Sequence, residues 1–312
     1  MEKIQAQYNF YGFCIQLALI CVLVMTSIFT IPGFSWFCPA VIAETTAQRC
    51  CITRFDHGQL NWTTGKVQAT GRAVPPEKEM AHVSDYIFSA ARADAGKNLI
   101  SILKTIRVTS KKSVDDHIAS KDRLMAGVEE IARDAVIVKQ HYTSDRAMEV
   151  TLEASILRGF LQLVLPEEIS QIPKIQAIDS ALNCKDPSDP YTGLIIDVRG
   201  LDFKPILYPV VASEQGHDIY SAVFISREHA VQNGVCQYIC SPDLPVQTQR
   251  AGGHPLVIKG LRKSRKNNST IVITWSDAEK IESAFEHYRF MRQCKVIILM
   301  DPPSCLGGSS KK

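Results

Sequence analysis

The sequence has little of what most function classes require. Its 35 Lys and Arg nearly balance its 32 Asp and Glu, a net charge of +3. The concentrated basic surface of a nucleic-acid-binding protein is therefore not written into its overall charge. The eight His residues, His57, His82, His117, His141, His217, His229, His254 and His287, stand apart, with no HExxH pair and no clustered ligand set. Cys236 and Cys240 are spaced as CxxxC, which is not the CxxC of a redox motif. Ten Cys in 312 residues are too few to frame a disulfide mini-protein. No phosphate loop precedes Asp197, the carboxylate that ends the apolar run GLII, and a turn cap is the simpler reading of that residue. At 46% hydrophobic and 21% charged, the chain is neither disordered, collagen-like nor a multi-span membrane protein. No residue set points to catalysis, a cofactor or a metal, so a non-enzymatic protein is expected. Arg227-Glu228-His229 reads as the polar start of a helix or turn.

What is present begins with an uncharged stretch, Ile4 to Ala43, that contains the apolar run Tyr11 to Ile31. Its length and composition predict entry into a membrane, either as a signal cleaved after Ala43 or Ala47 or as a retained anchor. On that reading residues 1–43 are signal or anchor and the rest is periplasmic or exported, held to a membrane through residues 11–31 if the segment is retained. Cys14, Cys21 and Cys38 follow Phe13, Ile20 and Phe37, none of them the small residue that precedes a lipid-modified Cys.

Lys66 to Val74 reads as a strand with Val67, Ala69 and Gly71 on one face, stopped at Pro75-Pro76. A helical stripe follows through Met80, Val83, Ile87, Ala91, Ala95, Leu99, Leu103 and Ile106. Its Ala-rich middle would let the helix sit close to a sheet. A second helical pattern runs from Val114 through Ile118, Met125, Val128, Ala132 and Ala135. Arg146 to Arg158 then alternates as a half-buried strand, with Met148, Val150, Leu152, Ala154 and Ile156 facing inward. These patterns predict an α+β fold of small mixed or antiparallel sheets, with helices on one face, preceded by the membrane-entering helix.

The expected organisation is an α+β domain over 55–165, a linker over 166–191 and a β-rich module over 192–250. A strand-strand-helix-strand module over 251–312 closes the chain, its helix capped by Ser276 with Glu279 completing a capping box. Without residues 1–43 seven Cys remain: Cys50, Cys51, Cys184, Cys236, Cys240, Cys294 and Cys305. Buried thiols, one or more disulfides and a metal site are all open to them.

The block GKVQATGRAVPP, the Ala-rich helix and the alternating strand ending in ILRG resemble the N-terminal domain of the LPP20-like envelope lipoproteins. They also look like the N-terminal part of flagellar assembly protein T. TGLIIDVRGLDFKPILYPVV, VITWSDAEKI and CKVIILMD resemble later blocks of the longer LPP20-like proteins. The resemblance implies a non-enzymatic structural or assembly protein of the cell envelope, of a kind associated with the outer membrane or the flagellum. Its pattern falls on Gly71, Ala91, Ala95, Leu99, Gly193, Asp197, Gly200 and Pro209, which read as structural positions. Self-association or contact with other envelope proteins is expected. A binding module for a wall polymer or small ligand is the alternative.

Two short segments are basic. One is Thr109 to Lys112. The other, Lys259 to Lys266, carries Lys259, Arg262, Lys263, Arg265 and Lys266 without an acid. Set between two β runs, the second reads as a hairpin tip and a candidate contact for an anionic envelope surface or an acidic protein patch. It lacks the interleaved aromatics of a single-strand nucleic-acid site, and no nucleic-acid partner is expected.

Overall fold

Strand β1 (Ile52–Phe55) pairs antiparallel with β2 (Gly58–Asn61) and opens a five-stranded antiparallel sheet. The computed structural model describes residues 51–75, 83–119, 122–169, 191–241, 243, 248–265, 269–283 and 285–301. The sheet continues through β3 (Lys66–Ala73), β5 (Met148–Ser155) and the edge strand β4 (Val136–Tyr142), in the order β1-β2-β3-β5-β4. Alternation decides its two faces. Val67, Ala69 and Gly71 of β3 and Met148, Val150, Leu152 and Ala154 of β5 are buried on one side. The other side is a polar lattice in which Gln59 donates to Gln68, Gln68 donates to Glu153 at 2.8 Å, and Lys66 donates to Glu153 at 2.6 Å. An antiparallel sheet tolerates one solvated face, and here polar side chains occupy it.

Helix α1 (Val83–Thr105) covers the apolar face, with Ile87, Ala91, Ala95, Leu99 and Leu103 all buried. Gly71 lets the two backbones meet. A Cβ there would lie 2.0 Å from the Ala95 nitrogen and 2.4 Å from the Ala91 oxygen. Two shorter helices, α2 (Val114–Ile118) and α3 (Asp122–Arg133), form the second helical stretch. Helix α4 (Gly159–Val164) follows β5 and ends where the first domain was expected to close.

The second sheet has seven strands: β6 (Gly193–Asp197), β7 (Val210–Ser213), β8 (Asp218–Tyr220), β9 (Gln237–Cys240), β10 (Pro255–Lys263), β11 (Thr270–Ile273) and β12 (Val296–Met300). Their order is β8-β7-β11-β10-β6-β12-β9. Strands β9, β12, β6 and β10 run parallel, and β10 turns back antiparallel into β11. The central strands β6 and β12 are buried almost throughout, which is why they read as unbroken runs, GLII and VIIL. Helix α5 (Arg227–Asn233) precedes β9, and α6 (Trp275–Glu282) and α7 (Phe285–Arg292) lie between β11 and β12. One apolar core runs through both sheets. Ile195, Ile239, Ala251, Ile297 and Leu299 make a second, smaller cluster.

Several expectations are corrected. The boundary between 192–250 and 251–312 runs through this single seven-stranded sheet, because β10 and β12 both pair with β6. The cap of α6 is Thr274, whose side chain accepts from the Asp277 amide, rather than Ser276. The α+β class with mixed and antiparallel sheets is observed, but its membrane-entering helix is not. Among the described residues no helix is long and apolar enough to cross a membrane. The expected stretch, residues 11–31, lies outside them, as do Met80, Cys50, Cys184 and Cys305. The expected membrane-anchored location conflicts with the lack of a membrane-crossing helix among the described residues.

Candidate functional site: an inter-sheet cleft

The cysteines locate the site. Cys51, just before β1, is bonded to Cys240 at the end of β9, with Cα atoms 5.2 Å apart and a sequence separation of 189. This bond ties the first sheet to an edge strand of the second. Beside it the Cys51 amide donates to Thr63 Oγ1 at 3.0 Å, and the Trp62 ring stands edge-on to Tyr238 with centroids 5.8 Å apart. Tyr238 is itself held at both ends of a peptide unit. Its hydroxyl donates to the Ile206 carbonyl at 2.8 Å and accepts from the Ile206 amide at 3.2 Å.

A cleft of about 620 Å³ opens next to this junction. Its walls come from the turn after β2 (Trp62 to Gly65), the end of β5, helices α4 and α5, the start of β9, and residues 249–250 and 293–295. That volume lies in the range of small-ligand sites. Among the described residues no Asp or Glu lines it, whereas Arg250, Lys295 and His229 do. Asn233, Gln237, Gln249 and Gln293 add amide groups, and Gln237 donates to the Thr63 carbonyl at 3.2 Å across the junction.

Arg250 is the organising side chain. Its Nε donates to the Cys294 carbonyl at 2.8 Å, and its terminal nitrogens donate to the carbonyls of Gly234 at 2.6 Å and Asn233. The guanidinium thus clasps the end of α5 to the turn before β12. Carbonyl oxygens satisfy its geometry but do not cancel its charge, and a guanidinium has five donors, so some remain unspent. Two free thiols, Cys236 and Cys294, also line the cleft. Burial pushes Cys236 up to about 12 and Cys294 up to about 11. Both are therefore neutral thiols at physiological pH and poor nucleophiles. Among the described residues no group of three or more His, Cys, Asp or Glu could hold a metal ion.

Of the five basic residues singled out in the sequence, the four described ones are spread along β10 and just beyond it. Lys259 sits in β10 opposite Asp197 of β6. Lys263 donates to the Asp202 carbonyl at 2.9 Å and has the Asp202 carboxylate 3.6 Å away. Arg262 and Arg265 are exposed, and Lys266 lies outside the described residues. Asp197 is a turn cap, as read: it accepts from the Arg199 amide and takes a fork of two bonds from its guanidinium, which holds the carboxyl below its ordinary range. Arg227-Glu228-His229 does open a helix, and Arg227 donates to the carbonyls of Gln162, Pro166 and Ile169. The cleft itself escaped the sequence reading. Its lining comes from segments far apart in the chain, and Arg250, in QTQRAGG, has no local motif to mark it.

Residues 193–302 match a family model described as Treponema pallidum Tp0624, second domain. The match covers about a third of the chain and coincides with the seven-stranded sheet and its helices. It carries no statement about LPP20-like proteins or flagellar assembly protein T. No curated protein matches the chain.

Proposed function

We propose that this protein is a non-enzymatic binding module that takes a small polar anion, bearing a carboxylate or phosphate, in the cleft between its two sheets. One observation carries the reading: among the described residues, a guanidinium held by carbonyl oxygens faces a cleft whose lining has further cations and amides but no carboxylate. An anion entering there meets charge that the fold leaves unneutralised, and the amides of Gln249 and Gln293 are placed to fix its uncharged part. Trp62 and Leu157 offer the apolar surface such ligands also need. The neutral thiols argue against covalent chemistry at the same place.

The test is a calorimetric screen of the purified chain against small carboxylates and phosphates, followed by Lys295→Ser. Lys295 is exposed and outside the Arg250 clasp, so the substitution should leave the melting temperature unchanged while weakening binding about five- to tenfold. A ligand whose affinity ignores Lys295→Ser, or a screen without any binder, would remove the support.

The assembly role remains a second proposal. It rests on Val136, Val138 and Tyr142, large apolar side chains exposed along the edge strand β4. Against it, β4 carries a register shift between Ile137 and Lys139, and bulges and lysines are the devices that keep an edge from pairing.

A further inference from the structure

The two basic segments of the sequence, 150 residues apart, come together in the fold. Ser110 Oγ and Ser269 Oγ are 3.4 Å from each other. Around that contact the chain is sewn along its backbone. The amides of Leu207 and Tyr208 donate to the carbonyls of Arg107 and Val108, both at 3.0 Å, and the Val210 amide donates to the Ser269 carbonyl at 3.0 Å. The loop after α1 therefore lies beside the β10–β11 hairpin. Arg107, Lys111 and Lys112 on the first segment and Arg262 and Arg265 on the second are all exposed. Two of the acids near them face other cations, and the third, Asp116, is held by Ser113 and offsets part of the charge of Arg107. Asp202 faces Lys263, Asp115 pairs with Lys104 at 2.9 Å, and Asp116 accepts from the Ser113 amide and hydroxyl.

We infer that Arg107, Lys111, Lys112, Arg262 and Arg265 form one composite basic surface that binds a linear polymer of repeating phosphate groups. The chemistry favours such a polymer over a protein partner. Protein interfaces are built around an apolar, aromatic centre, and among the described residues of these two segments Leu261 is the one large apolar side chain exposed, with no aromatic beside it. Binding by phosphate charge alone needs only spaced, exposed cations, preferably including Arg, whose fork matches phosphate oxygens. The surface is separate from the cleft and shares no residue with it.

The experiment titrates the full chain with inorganic polyphosphate between about 50 and 300 mM salt, with polyglutamate as a competing probe. Two variants, Lys111→Ser/Lys112→Ser and Arg262→Ser/Arg265→Ser, are compared with the parent. By analogy with counterion release from nucleic acids, each pair should lower the dependence of log affinity on log salt by roughly 1–2 and weaken low-salt binding about tenfold. Unchanged melting temperatures should accompany the loss, and Lys111→Arg/Lys112→Arg should bind as the parent does. Full affinity in Lys111→Ser/Lys112→Ser would show that the segments do not act together. Equal binding of polyglutamate, or no binding of polyphosphate at low salt, would overturn the assignment of the partner.

Discussion

Gly71 and Ala91 set the distance between α1 and the first sheet. At Gly71 a side chain would run into backbone rather than into a flexible neighbour, so the contact cannot relax by a rotamer change. Gly71→Ala should cost about 1–3 kcal/mol, toward the upper end, and Ala91→Leu a similar amount, read from urea unfolding midpoints. An unchanged midpoint for either would contradict the close approach. Single residues were legible where periodicity governs them: every described member of the Ile87 to Ile106 stripe is buried as the spacing requires. Cysteine chemistry was not legible, because burial, not spacing, decides it. With their pKa raised, Cys236 and Cys294 favour the fold in the protonated state. Their contribution is fully present below the unfolded thiol value near 8.5 and is lost as pH rises toward 11–12. Alkylation of Cys236 and Cys294 by iodoacetamide, read residue by residue from peptide masses, should therefore stay slow at pH 8 in the native chain and accelerate only above about pH 10, whereas in the denatured chain both react readily at pH 8. Fast native labelling of either residue at pH 8 would contradict the neutral thiols.

Among the elements, β9 carries the most structural responsibility for its length. It is an edge strand of four residues, yet it holds Cys240 and Tyr238 and begins at the wall of the cleft. Pairing Cys51 to Cys240 closes a loop spanning a sequence separation of 189, for which chain-entropy arguments give an upper value of about 5 kcal/mol. Cys51→Ser/Cys240→Ser should lower stability by about that amount. It should also loosen the Trp62–Tyr238 contact, seen as a change in tryptophan emission. A loss below about 1 kcal/mol would mean that the apolar contacts alone fix β9. Elements were readable in the sequence when their burial was uniform or alternating, as in β5, β6 and β12. The sequence could not show that β9, β12, β6 and β10 share one sheet, because parallel pairing joins strands through long crossovers that leave no local mark. That is why a boundary was placed at residue 250, inside the sheet.

For the whole molecule the open physical question is whether two sheets mean two folding units. Composition and pattern suggested a domain ending near Leu165 and a linker after it. The match to residues 193–302 also marks the second sheet as a recurring unit. Three features nonetheless couple them within the compact unit Ala47–Lys312. The main apolar core is continuous from Leu60 and Val67 to Tyr238 and Ile298. The Cys51–Cys240 bond crosses the junction. Arg227 on α5 reaches back to three carbonyls at and after α4, an arrangement in which removing the guanidinium leaves carbonyl groups without their donor. These predict a single calorimetric transition for the oxidised chain, with van't Hoff and calorimetric enthalpies equal. Arg227→Ala combined with reduction of the disulfide removes two of the three couplings and should split the transition or broaden it until the two enthalpies diverge. Two resolved transitions in the oxidised parent would instead establish independent domains. The cleft would then lie at a movable joint, and binding there would be expected to draw the two sheets together rather than to meet a preformed site.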